Sequence, residues 1–253
     1  VFDPGDMLLM FGSSIFIIHV VPQLTVDRRF WAGPYLFRGT SMVAAGMSTA
    51  GTLTRWFRDQ LARDVIAQAK SENRNAYDLL MHEIDAIPPG SDGLVVLPYL
   101  SGERTPINDP KARGVFFGLT LNHTRAHLYQ ACLEGVGYGI AQHFAGFQDM
   151  GLATKRVIAV GGGTRNPPWL QLVADICGKP FATGMAYGAA YGDALLAALG
   201  TGHYQSPAEL RAQIKLGPVV EPDPERHKVY QPYLKLYETL YQQTKNLMAD
   251  MPH

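Results

Sequence analysis

The chain has little cysteine and no excess of charge, and both shortages exclude classes of protein. Only two of its 253 residues are cysteines, Cys132 and Cys177, and each lies inside an apolar helical pattern. Two buried thiols indicate a reducing compartment rather than a disulfide framework, so we predict a cytoplasmic protein. Twenty-two basic residues balance twenty-two acidic residues. Because such a chain has no strong field of one sign, we expect neither nucleic acid nor an anionic membrane as a partner.

Long apolar runs and several common catalytic motifs are also absent. The longest apolar stretch, residues 7–21, is interrupted by Gly12, Ser13, Ser14 and His19 and is too short and polar to span a membrane. We expect no signal peptide. No Gly-Lys-Ser or Gly-Lys-Thr occurs, which excludes a Walker-type phosphate loop, and no nucleophile elbow is present.

Apolar patterning predicts alternating strands and helices. Strand-like runs occupy residues 7–11, 15–20, 94–97 and 156–160, with a further candidate at 35–38. Helical spacing occupies residues 52–67, 75–87, 124–144, 169–177, 188–199 and 226–248, and residues 203–223 are the least regular. With 47% hydrophobic residues and no linker, we predict one α/β domain over residues 1–253, a mixed sheet covered by helices.

Three consecutive glycines, Gly161, Gly162 and Gly163, follow the predicted strand at residues 156–160. Glycine permits a tight bend and lets a flat ligand lie directly on the backbone. Asn166 and Pro167 then supply the N-cap and first residue of a helix, whose free amides suit anionic ligand groups. An ordinary strand-to-helix turn has the same composition, so nucleotide binding and a structural turn both stay open on this motif.

A second glycine turn, Gly12-Ser13-Ser14, joins the predicted strands at residues 7–11 and 15–20. A hairpin needs glycine and serine for conformational reasons alone. Two strand-to-glycine turns in one chain nevertheless suggest a nucleotide clasped from two sides. Gly51, at the start of a predicted helix, belongs either to an ordinary cap or to a phosphate site built from backbone amides.

Several polar residues have both a functional and a structural interpretation. Glu103 and Arg104, in a long polar loop, either contact a polyhydroxy substrate or form an ion pair that holds the loop. His123 and His127 have a spacing that can bind zinc, but no third ligand is near in sequence, so we predict no metal site. Glu134 in mid-helix is either a catalytic acid or a structural acid hydrogen-bonded to backbone.

The motifs taken together resemble one family. They are Leu-Pro-Tyr-Leu-Ser-Gly-Glu-Arg-Thr-Pro at residues 97–106, Asn-Asp-Pro at 108–110, Arg-Gly-Val-Phe-Phe-Gly-Leu at 113–119, Leu-Glu-Gly at 133–135, the glycine triplet, Ala-Asp at 174–175 and Gly-Ala-Ala at 188–190. In this order they resemble the C-terminal half of the FGGY carbohydrate kinases over nearly the whole chain. The sequences of the Gly-Glu-Arg-Thr-Pro and Asn-Asp-Pro motifs are most similar to those of xylulose kinases, followed by those of gluconate and other pentulose kinases.

The resemblance implies ATP-dependent phosphorylation of a sugar hydroxyl, with Mg2+, in a cleft between two domains of the actin-like ATPase fold. This chain would be the second, nucleotide-binding domain, and the sugar would be read mostly by the other. The implied acceptor is a ketopentose such as xylulose, with gluconate or another sugar or polyol as the alternative. The implied contacts are Gly161, Gly162, Gly163 and Asn166 for adenosine, and Gly12, Ser13, Ser14, Gly51 and Arg55 for the phosphates.

Some positions depart from the family pattern. Ser13 stands where Thr is usual and keeps the hydroxyl, Met185 replaces an acidic residue, and Asp193 replaces a small one. The family's catalytic Asp lies well upstream of the hairpin turn, and Asp3 and Asp6 are too close to that turn to be it. Because the chain begins almost directly with a strand, we expect a fragment that is inactive alone. A non-catalytic nucleotide-binding module is the rival interpretation, and a homodimer stays open.

Overall fold

A computed structural model describes residues 1–184 and 189–252 and confirms the α/β class. The strands in these residues are β1 (Asp6–Phe11), β2 (Ile15–Val21), β3 (Trp31–Pro34), β4 (Ser41–Met47), β5 (Val95–Leu97), β6 (Val115–Phe117), β7 (Arg156–Val160), β8 (Phe181–Gly184) and β9 (Leu216–Val220). The helices are α1 (Gly51–Leu61), α2 (Arg63–Ser71), α3 (Ala76–Glu83), α4 (Arg125–Asp149), α5 (Pro167–Cys177), α6 (Ala189–Gly200), α7 (Pro207–Gln213) and α8 (Pro224–Ala249).

A mixed seven-stranded sheet organises the fold, in the order β3-β4-β2-β1-β7-β8-β9. Strand β1 runs antiparallel to β2 and parallel to β7, which is parallel to β8. Strand β4 is antiparallel to β2 and therefore has the direction of β1. The carboxyl ends of β1, β4, β7 and β8 consequently meet at one edge of the sheet, where ligands bind in many α/β proteins. Both glycine turns lie at this edge.

The main core lies between one face of the sheet and helices α1, α4 and α5. Met7, Leu9 and Phe11 alternate along β1 and are fully buried, whereas Met10 between them is exposed. This period of two is the signature of a strand with one face against the core. Helix α4 is buried along most of its length, with Leu133 fully enclosed.

Several elements differ from the sequence prediction for identifiable reasons. The predicted helix at residues 52–67 is two helices, because the backbone leaves the helical region at Ala62 (φ −140°, ψ 41°). Residues 35–38 form no strand; the chain pairs before and after them, in β3 and β4. Strand β4 escaped prediction because alanine, glycine and serine have low strand propensity. Helix α8 begins at Pro224 and contains Pro232 in its interior.

Other predictions concern single residues. Cys132 is fully buried but Cys177 only partly, and both are free thiols. Asp193 is exposed on α6, whereas Met185 and the glycine of the Gly-Ala-Ala motif lie outside the described residues. Among the residues described, no helix combines the length and apolar character needed to cross a membrane. The cytoplasmic location stays a prediction.

An ion pair fixes the end of β1 opposite the glycine turns. The side chain of Asp6 is nearly fully buried and accepts hydrogen bonds from Nε and a terminal nitrogen of Arg156 at 2.7 and 2.8 Å. The amides of Phe2 and Asp3 donate to the same carboxylate. Burial by itself would raise the pKa of Asp6, but the guanidinium and the two amides outweigh it and lower the pKa to about 2.

Replacing Asp6 by Asn should lower the free energy of unfolding by about 2 kcal/mol near neutral pH. Because the pKa is lower in the folded than in the unfolded state, this contribution is present above about pH 4 and is lost as the pH falls toward about 2. Urea unfolding at neutral and acidic pH measures it. Asp3→Asn, which breaks the exposed pair with Arg211, should cost less than about 1 kcal/mol. An Asp6→Asn variant as stable as the parent at neutral pH would contradict this.

Candidate functional site

A cavity of about 510 Å3 opens at the sheet edge where β1 and β7 end. The β1–β2 turn and the start of α1 form one side, the start of α3 lies beside them, and residues 162–169 form the opposite wall. The lining residues are Gly12, Ser13, Gly51, Thr52, Thr54, Arg55, Asn75, Tyr77, Asp78, Tyr129, Gly162, Gly163, Arg165, Asn166 and Trp169. The two glycine turns therefore face the same cavity.

The cavity brings together most of the predicted site residues but not all. Those that line it are Gly12, Ser13, Gly51, Arg55, Gly162, Gly163 and Asn166. Ser14 and Gly161 are not among the lining residues. Gly161 has a φ of +101°, and a Cβ atom there would lie 2.7 Å from the carbonyl oxygen of Phe11. Position 161 therefore requires glycine, both because the backbone approaches β1 closely and because its φ is positive.

The β1–β2 turn uses its carbonyl groups to cap helix α1. The oxygen of Ser13 accepts hydrogen bonds from the amides of Ala50 and Thr52, both at 3.0 Å, and the oxygen of Gly12 accepts from Gly51 at 3.1 Å. A Cβ atom on Gly51 would come within 2.8 Å of that Gly12 oxygen. These bonds agree with the interpretation of Gly51 as part of a helix cap. The amides of Gly51 and Thr52 already donate to the turn and are therefore not available to a phosphate.

Amide groups of the two glycine turns are left unpaired. Within residues 1–184 and 189–252, the amides of Ser13 and Ser14 donate no hydrogen bond. The same holds for Gly162 and Gly163 at the start of the short 3-10 turn Gly162–Arg165. Unpaired amides at a turn or helix start form a site for anions and polar groups. Three of the four residues line the cavity.

The start of α5 offers no free amide, contrary to prediction. Asn166 is the N-cap and Pro167 the first helical residue, as predicted. Pro167 and Pro168 have no N–H group, however, and Asn166 accepts hydrogen bonds from the amides of Trp169 and Leu170. Because the side-chain oxygen of Asn166 is engaged, its amide nitrogen is the group left for a ligand. This side-chain nitrogen, Nδ2, makes no hydrogen bond among the described residues, whereas the backbone amide of Asn166 donates to the Gly163 oxygen.

The charge balance of the cavity favours an anion. Arg55 on α1 and Arg165 at the end of the 3-10 turn line it from opposite sides, and Asp78 on α3 is the one carboxylate among the described lining residues. None of the three forms an ion pair in the described part of the chain. Two cations against one anion give a net positive site, which attracts negatively charged ligands.

Eight lining residues were not predicted as site residues: Thr52, Thr54, Asn75, Tyr77, Asp78, Tyr129, Arg165 and Trp169. Some carried a local signal, since Asn75 is the N-cap of α3 and accepts from the amide of Tyr77 at 2.9 Å. That signal predicts a helix start but not its place beside the glycine turns. The buried ring of Trp169 packs on Phe11, with 4.4 Å between the two ring centroids, and forms an apolar part of the cavity lining.

Glu134 has the structural role rather than the catalytic one. It is fully buried and accepts hydrogen bonds from the Gly90 amide and the Ser91 hydroxyl, both at 2.8 Å, and from the Tyr230 hydroxyl at 3.2 Å. Burial raises the pKa of Glu134 to about 7. None of these partners lines the cavity.

The ion pair considered for Glu103 and Arg104 is not formed. The nearly buried Glu103 carboxylate accepts instead from the backbone amides of Ser48, at 2.6 Å, and of Arg104, at 2.7 Å. Burial raises the pKa of Glu103 to about 7, even though both amides act to lower it. The side chain of Arg104 is exposed and has no ion-pair partner in the described residues.

His123 and His127 accept backbone hydrogen bonds around the start of helix α4, with His127 in its first turn. Their Nδ1 atoms accept hydrogen bonds from the amides of Thr120 and Thr124, at 2.9 and 3.1 Å. Nε2 of His127 lies 3.1 Å from a carboxylate oxygen of Asp92. In the described ranges, no three His, Cys, Asp or Glu side chains cluster closely enough to hold a metal ion.

The mixed sheet, its flanking helices and a cavity at the ends of parallel strands are those of the actin-like ATPase fold. The chain belongs to the FGGY family of carbohydrate kinases, whose C-terminal domain matches residues 7–201. This confirms the resemblance found in the sequence, including the similarity to xylulose kinases.

Three relatives show how far the similarity extends. The xylulose kinase of Escherichia coli K12 is 44% identical over 155 residues, which cover 60% of this chain and 32% of that protein. The gluconokinase of Bacillus licheniformis is 34% identical over 174 residues, 68% of this chain and 34% of that protein. The crystal structure of xylulose kinase from Rhodospirillum rubrum has a TM-score of 0.86 and 33% identity, covering 98% of this chain and 49% of that one. The chain spans a third to a half of the length of these relatives.

Proposed function

We propose that the cavity binds ATP and ADP, as the nucleotide-binding half of a sugar kinase. The observation that carries this proposal is the pair of glycine turns, whose amides have no partner among the described residues. They surround a cavity that also contains two guanidinium groups with no ion pair in those residues. Membership of a carbohydrate kinase family supports the same ligand. Phosphoryl transfer depends mainly on positioning and charge stabilisation, which backbone amides and arginines supply.

The two walls would hold different parts of the nucleotide. Adenosine would lie on Gly162, where a Cβ atom would meet nothing within 4 Å and the backbone is therefore open to a ligand. The side-chain nitrogen of Asn166 would donate to an acceptor on the base. The phosphates would lie at the β1–β2 turn, with the Ser13 amide and hydroxyl as donors and Arg55 as the nearby cation.

The reaction that we propose is transfer of the γ-phosphate to a hydroxyl of a ketopentose such as xylulose. The relative named xylulose kinase supports this acceptor. The gluconokinase relative makes gluconate, or another sugar or polyol, the second candidate. A nucleotide-binding module without catalysis is the alternative from another class, since this chain spans only part of its relatives.

The general base is proposed to lie in the part of the relatives that this chain does not match. Asp6 is unsuited to the role because Arg156 pairs with it and its pKa is already low. Asp6 also lies at the far end of β1, five residues before Phe11. At the usual rise of a strand, this places it about 17 Å from the turn. This chain alone would then bind nucleotide but transfer no phosphate.

Mg2+ is proposed to accompany ATP, where its charge would neutralise that of the β- and γ-phosphates. The described residues offer no cluster of three metal-binding side chains. The hydroxyl of Ser13 is the oxygen donor that this chain would supply at the phosphate end of the cavity.

ADP titrated into the chain should change the intrinsic tryptophan fluorescence, because Trp169, one of the three tryptophans, lines the cavity. The change should saturate at or below about millimolar concentration. Gly162→Val should weaken binding by at least about tenfold by crowding the ligand, while the thermal midpoint stays close to that of the parent. Gly200→Val is the control, because its Cβ atom also meets open space but lies outside the cavity. A flat titration, or a Gly162→Val variant that binds like the parent, would contradict the proposal.

With ATP, Mg2+ and either xylulose or gluconate, the chain alone should form no more ADP than a control without sugar. The physical reason is that we place the general base outside this chain, since Asp6 is paired with Arg156 at the far end of β1. A coupled assay of ADP formation measures this. Sugar-dependent turnover by the chain alone would contradict the placement of the base elsewhere.

A further inference from the structure

The polar loop around Glu103 completes the edge of strand β4. The pairing of β3 with β4 ends at the Trp31–Ala44 pair. On this side of β4, opposite β2, residues 45–47 have no strand partner in the described part of the chain. Side chains of the loop take that place. The Thr105 hydroxyl oxygen accepts from the Gly46 amide at 2.7 Å, and the Glu103 carboxylate accepts from the Ser48 amide at 2.6 Å. These bonds fix the loop near the carboxyl end of β4, which is the end of the sheet where the cavity opens. The loop itself does not line the cavity.

The burial of Glu103 is unfavourable for the stability of the fold. Glu103 is only 6% exposed, it has no ion pair among the described residues, and one of its carboxylate oxygens has no hydrogen-bond partner there. Burying a carboxyl group in this way costs free energy, whether it is ionised or protonated. Sequences that violate a local rule of stability often do so at a functional site.

The Ser48 bond leads directly to the phosphate end of the cavity. Ser48 lies between the end of β4 and the start of α1. Two residues later the chain begins the amide contacts that hold the β1–β2 turn: Ala50 and Thr52 donate to the Ser13 oxygen, and the Thr52 hydroxyl adds a third bond at 2.9 Å. A single covalent segment therefore connects the Glu103 anchor to the turn that carries the unpaired amides.

We propose that Glu103 is a positioning residue for the phosphate end of the cavity. Through the Ser48 amide it holds the start of α1, and hence the β1–β2 turn, in the arrangement that leaves the Ser13 and Ser14 amides available to a ligand. This inference rests on the proposed nucleotide binding. The hydrogen-bond partners of Glu103 are Ser48, Arg104 and Asp109, none of which lies on the wall at residues 162–169. Glu103 should therefore matter for the phosphates and not for adenosine.

The test compares adenosine and ADP binding by calorimetry at about pH 8, where the Glu103 carboxyl is ionised. Glu103→Met keeps the volume but removes the acceptor, and should lower ADP affinity by at least about fivefold while adenosine affinity changes less than about twofold. Glu103→Gln retains one acceptor oxygen for the Ser48 amide and should recover part of the loss. Glu134→Gln is the matched control, since Glu134 is also a buried carboxyl group and its partners lie outside the cavity. It should leave the ratio of the two affinities unchanged even if it lowers the thermal midpoint.

Equal losses of adenosine and ADP affinity in Glu103→Met would overturn the inference, because they would show a general effect on the fold. Unchanged ADP affinity would overturn it as well. If circular dichroism shows Glu103→Met to be unfolded, Glu103→Gln decides: a neutral acceptor bonds more weakly than a carboxylate, so an unchanged ratio would refute the positioning role. A parent chain that binds neither ligand would contradict the proposed function itself, and this inference with it, whereas a parent that binds ADP isolates the question of Glu103.

Discussion

The contact between Gly12 and Gly51 is the constraint on which the cavity depends. The Gly51 amide donates to the Gly12 oxygen at 3.1 Å, and a side chain on Gly51 would collide with that oxygen. This contact packs the β1–β2 turn closely on the start of α1, so that the carbonyl groups of the turn accept hydrogen bonds from the first amides of the helix. The amides of Ser13 and Ser14 have no hydrogen-bond partner among the described residues. The same turn thus stabilises the fold with its acceptors and leaves its donors for a ligand.

The end of β1 organises the opposite wall in a similar way. A Cβ atom on Gly161 would lie 2.7 Å from the Phe11 oxygen, and one on Gly163 would lie 2.6 Å from the Phe11 ring. Gly162 between them meets no such neighbour and faces the cavity. The three glycines therefore differ in purpose: two permit packing on β1, and one keeps the backbone open. One strand end positions both turns, which explains why they meet in a single cavity.

The fold class and the two glycine turns could be predicted because their signals are local: apolar periodicity, glycine after a strand, and an Asn-Pro helix start. Arg165 and Asp78 could not, since nothing in their neighbourhood marks them and only folding brings them to the cavity. The expectation of free amides at α5 was wrong because Pro168 and the Asn166 cap remove them. Strand β4 was missed because its alanines and glycine have low strand propensity, and its pairing with β2 is a contact that only folding creates.

That the unpaired amides of the two glycine turns hold the nucleotide is tested most directly by amide NMR. ADP added to the isotope-labelled chain should shift the signals of Ser13, Ser14, Gly162 and Gly163 most. The amide of Thr52, already bonded to the Ser13 oxygen, should shift much less. If the largest changes fell instead in the polar groove lined by Arg29, Glu238 and Lys245, or if none occurred at the turns, the nucleotide site would lie elsewhere.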